Sequence, residues 1–162
     1  MQEDIGFAME IGSITYVRPY SCSGWAGDFS MSMAHVTIDQ LSETFADNYE
    51  PGSLQEVVFI DSLPLAGSSG SSLTINFDQP FWYNGVDNLL IDIYYPDGWA
   101  CAGVHNWEAG PARSLVDLFP YSGSASSTGA LYTKIPYMIL EGELELMGMT
   151  FGGIKVELGQ DL

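Results

Sequence analysis

A chain of 162 residues has the size of one ordinary domain and can bury a core without metal or dense crosslinking. With 4 Lys+Arg against 21 Asp+Glu the formal charge is −17, a field that repels phosphate backbones and anionic bilayers and so argues against nucleic acid as a partner. The 46% hydrophobic and 13% aromatic content excludes an unfolded acidic tail, and no apolar run is long enough for a membrane-spanning helix.

The start, MQEDIGFAME, lacks the basic and apolar regions of a secretory signal, so a secreted form would have lost its leader already. Cys22 and Cys101 stand far apart and neither belongs to a CxxC pair. Paired, they would close a loop long enough to contribute about 4 kcal/mol in the chain-entropy model; two buried thiols are the alternative. Trp25 lies in the glycine-rich piece Gly24-Trp25-Ala26-Gly27. From Phe29 to His35, Phe29, Met31 and Met33 alternate with small residues, which predicts a strand with one face on a core.

Thr37-Ile38-Asp39-Gln40 has the T-x-x-Q form of a capping box, and Leu41 and Phe45 follow at i, i+4 spacing. A short helix near residues 38–47 is expected there. The oxygen-rich cluster Asp47, Asn48 and Glu50 comes next, and a second one, Asn84, Asp87 and Asn88, occurs later. Such side chains suit Ca²⁺, although neither cluster has EF-hand spacing and turn-forming Asx residues need no ion.

The apolar stretches Leu54 to Ile60 and Leu89 to Tyr95 read as central strands covered on both faces. Between them, Leu73, Ile75 and Phe77 alternate with polar residues as a half-buried strand. In Phe81-Trp82-Tyr83 a strand would turn Phe81 and Tyr83 one way and Trp82 the other, so the triplet cannot form one flat platform. Trp99 and Trp107, with Trp25, are the tryptophans best placed in loops to stack on a sugar or a partner; covering an open end of the fold is the competing role.

Near the end, Met138, Leu140, Leu144 and Leu146 alternate with glutamates, and Met149 to Leu158 reads as a hairpin turning at Gly152-Gly153. Turn signals between all these runs predict an all-β antiparallel sandwich in one domain. No nucleophile elbow, phosphate loop or zinc-ligand spacing is present, and His35 and His105 lack the partners of a catalytic set. A non-catalytic protein is expected, with either no cofactor or Ca²⁺.

Three pieces in order carry a resemblance. Met33 to Tyr49, then Gln79-Pro80-Phe81-Trp82-Tyr83-Asn84-Gly85-Val86-Asp87-Asn88-Leu89-Leu90-Ile91-Asp92-Ile93, then Arg113-Ser114-Leu115 with Thr128 to Pro136, resemble segments of the jelly-roll-like β-sandwich modules repeated in large secreted surface proteins of Bacteroidetes-like bacteria. The resemblance covers about residues 29 to 140 and implies a secreted or cell-surface structural or adhesive module without catalytic residues. It favours the Cys22–Cys101 disulfide, and it implies self-association, other surface proteins or glycans as partners. Strand exchange through segment 5–17 or the C-terminal hairpin 144–158, building filaments, is one expected mode of assembly. A calcium-assisted carbohydrate-binding module is the alternative.

Overall fold

The computed structural model describes residues 7–100, 106–108, 110–117, 127–146 and 149–158. The fold is all-β and antiparallel, as the alternating patterns predict. Its first sheet runs β12-β11-β1-β4, formed by β1 (Met9–Val17), β4 (Ser72–Tyr83), β11 (Met138–Leu146) and β12 (Met149–Leu158). The second runs β3-β2-β5, from β2 (Gly24–Val36), β3 (Gln55–Pro64) and β5 (Asn88–Tyr94), and β6 (Asp97–Ala100) continues β5's side of β2. Two small pairs complete it: β7 (Asn106–Glu108) with β10 (Lys134–Pro136), and β8 (Ser114–Val116) with β9 (Ala130–Tyr132).

One apolar cluster joins the two large sheets. β1 contributes Met9, Ile11, Ile14 and Tyr16, β2 contributes Phe29, Met31 and Met33, and Val58, Ile75, Phe81 and Leu140 complete the contact. The phase of β1 changes midway, from Met9 and Ile11 to Ile14 and Tyr16, because Gly12 is an extra residue in the ladder. Opposite it, Phe77 to Pro80 bulge from β4, since Ile11 pairs with Phe81 while Ser13 pairs with Asn76. Pro80 fits there because a bulge does not demand its missing N–H.

Four sequence expectations are corrected. Residues 38–47 form no α-helix; a four-residue 3-10 turn, Phe45–Asn48, stands in its place. The Asn88 side chain takes the Ile38 carbonyl, Leu41 N–H goes to the Ala112 carbonyl and Phe45 N–H to that of Ser127, so tertiary bonds claim groups a helix would need. The stretches Leu54 to Ile60 and Leu89 to Tyr95 form not central strands but the flanking strands β3 and β5, with β2 central. Val57 and Val58 are both buried because the pairing shifts between Met31 and Ser32, so the apolar run records a bulge and not two covered faces. Finally, Gly152-Gly153 is no hairpin turn: β12 pairs continuously with β11, and the two glycines face Glu143 where the register shifts.

Arg18 fixes the β3–β4 connection from below. Buried at the end of β1, it donates from Nε to the Leu65 carbonyl and from Nη1 to Ser71 Oγ and the Ser72 carbonyl. Gly67 packs over the guanidinium, where a Cβ would approach Arg18 Cζ to 2.7 Å.

Candidate binding face

Of the six residues expected to hold calcium, Asn48, Asn84, Asp87 and Asn88 make side-chain hydrogen bonds within the fold. Asn48 is buried, its Oδ1 accepting from Ser42 N–H at 2.7 Å while Nδ2 donates to the carbonyls of Ser42 and Thr44. Asn84 accepts from Val86 and Asp87 N–H and donates to Asp87 Oδ2, and Asn88 donates to the Ile38 carbonyl. Asp47 and Glu50 are exposed beside the first turn. Among the described residues no group of three or more His, Cys, Asp or Glu is gathered to hold a metal.

His35 has a structural role: its Nε2 accepts the Asn84 N–H at 3.1 Å, and its ring lies 5.0 Å from that of Phe81 and 5.9 Å from that of Tyr83. The Phe81-Trp82-Tyr83 triplet divides as its alternation predicts, with Phe81 and Tyr83 buried and Trp82 43% exposed. Cys101 and His105 lie outside the described residues. No free thiol occurs among the described residues, and the Gly24–Ala100 pairing ends two positions after Cys22 and one before Cys101.

Of the three expected tryptophans, the β-register brings Trp25 and Trp99 together as direct partners on β2 and β6. Trp107 is elsewhere, paired with Ile135. Trp25 is 41% exposed and its ring covers Gly27, where a Cβ would meet Trp25 Cζ3 at 2.5 Å.

The strongest surface feature runs along β2 from there. Ser30 and Ser32 point away from the core because Phe29, Met31 and Met33 point into it. Residues directly opposite in an antiparallel ladder share a face. Ser30 pairs with Phe59 on one side and Tyr94 on the other; Ser32 pairs with Glu56 and Asp92. Phe59 is 47% and Tyr94 40% exposed. An aromatic pair and a carboxylate pair therefore flank a floor of serines, about 9.5 Å apart across two strand spacings.

Asp92 is half-buried, and desolvation raises its carboxyl pKa above the ordinary value. Sequence reasoning found the small face of β2 but missed its walls. Phe59 and Tyr94 come to flank Ser30 only through the register, and the unforeseen bulge at Val57 brings Glu56 onto the same face. No family model, curated protein or solved structure matches this chain.

Proposed function

We propose that this chain is a non-catalytic adhesive module of an extracellular surface and that it recognises its partner through the outer face of β3-β2-β5. The observation that carries this reading is the exposure of Phe59 and Tyr94 on either side of Ser30. Two large exposed rings, one on each strand flanking β2, give contact area at little entropic cost. The resemblance to repeated bacterial surface modules points the same way, as does an acidic surface that resists nonspecific association with nucleic acid and anionic membranes. A Cys22–Cys101 disulfide belongs to this reading and is supported by the register that ends beside both residues.

The test is adhesion of protein-coated beads to surface layers of bacterial cells. The Phe59→Ala/Tyr94→Ala double variant should lose most of the retention of the parent protein while keeping its thermal midpoint within a few degrees. Unchanged retention would discard the face as the working surface.

Assembly by strand addition is a second reading with its own observation. β12 ends the first sheet and has no partner on its outer side among the described residues, which leaves ten residues of edge as a template. Segment 5–17 is a less suited donor, because β1 is already held between β4 and β11 with Met9, Ile11 and Ile14 fully buried.

A further inference from the structure

We infer that the serine-floored trough along β2 binds a neutral, unbranched glycan chain lying parallel to the strand. The inference deepens the adhesive reading and rests on it. A sugar ring has an apolar C–H face, which packs on an aromatic ring, and an equatorial rim of hydroxyls, which needs acceptors. The trough offers both in succession: the Phe59/Tyr94 pair flanking Ser30, then the Glu56/Asp92 pair flanking Ser32.

Same-face residues along a strand repeat at about 6.7 Å, so the aromatic and carboxylate rungs can meet successive parts of one extended chain. The small serines leave the floor low enough for such a ribbon, and their hydroxyls both donate and accept. Charge narrows the class further. With −17 on the protein and two carboxylates in the trough, uronate or sulfate polymers are repelled, which leaves neutral sugars. Asp92 fits this role because it is held half-buried at a cost to itself.

The probes are soluble neutral glucans, xylans and mannans, with polygalacturonate as the anionic control, run by affinity electrophoresis and isothermal titration on the full chain. At least one neutral polymer should bind, with the affinity changing less than twofold between 50 and about 500 mM NaCl. Phe59→Ala and Tyr94→Ala should each weaken it about tenfold or more, and Asp92→Asn about threefold to tenfold. Trp82→Ala, which removes an exposed aromatic from β4, should leave it unchanged.

Absence of binding to every neutral polymer, or binding indifferent to Phe59→Ala and Tyr94→Ala, overturns the glycan inference. Should bead adhesion still depend on those two residues while no glycan binds, the adhesive reading stands and its partner is a protein. Salt-sensitive adhesion in that case would mark the protein as basic.

Discussion

Asp92 is where stability and recognition oppose each other. It stands on β5 beside Ser32, and its burial raises the carboxyl pKa. The folded chain therefore holds this proton to a higher pH than the unfolded chain does. Above the folded pKa the ionised carboxylate costs stability, and that cost is withdrawn as the pH falls through it. Asp92→Asn should accordingly raise the thermal midpoint at pH 7, and its advantage over the parent should shrink as the solution is acidified through the raised pKa. A lower midpoint at pH 7 would show that the carboxylate is compensated. Residues such as Asn48 and Asn84 have the opposite character, for their polar atoms are spent within the fold.

Among the elements, the register of the first sheet shifts along one line that crosses all its strands. Phe77 to Pro80 in β4, Gly12 in β1, Gly142 and Glu143 in β11, and Gly152-Gly153 in β12 mark it. Bulges at adjacent positions let a sheet curve as a unit, and glycine is placed where strands approach too closely for a side chain. Gly142 and Gly12 separate these two roles. A Cβ on Gly142 would collide with the Glu10 carbonyl oxygen, whereas one on Gly12 meets nothing nearer than the Glu141 carbonyl oxygen at 3.9 Å. Gly142→Ala should cost about 2–3 kcal/mol in urea unfolding and Gly12→Ala less than about 1. Equal costs would refute the asymmetry.

This line of bulges also marks where the sequence stops being legible. Strict alternation gave the inward faces of Phe29, Met31, Met33, Leu73 and Ile75, and the split of Phe81 and Tyr83 from Trp82, because a strand's period is fixed by its backbone. The phase change at Gly12 and the double burial of Val57 and Val58 come from partners distant in sequence. The same cause hid the candidate face. A glycine pair reads as a turn when seen alone, and as a bulge only once β11 is laid beside it.

Across the whole molecule, charge is the term that solution conditions can change most simply. A net −17 on one fold of this size is self-repelling, and screening relieves repulsion among exposed carboxylates. Raising NaCl from about 10 to about 500 mM should increase the thermal midpoint by several degrees. A flat response would mean that the carboxylates are spaced widely enough to ignore one another.

The central place of β1 sets the order of events in synthesis. It pairs with β4 on one side and β11 on the other, and Ser13 bonds to Glu141 across 128 positions of sequence. A ribosome therefore releases β1 long before its second neighbour exists, and the growing chain carries it with one flank open. Until β11 emerges, Ile11 and Ile14 lack the cover of Leu140. Closure of this sheet thus waits on contacts of wide sequence separation, and the nascent chain is most open to capture by chaperones in that interval.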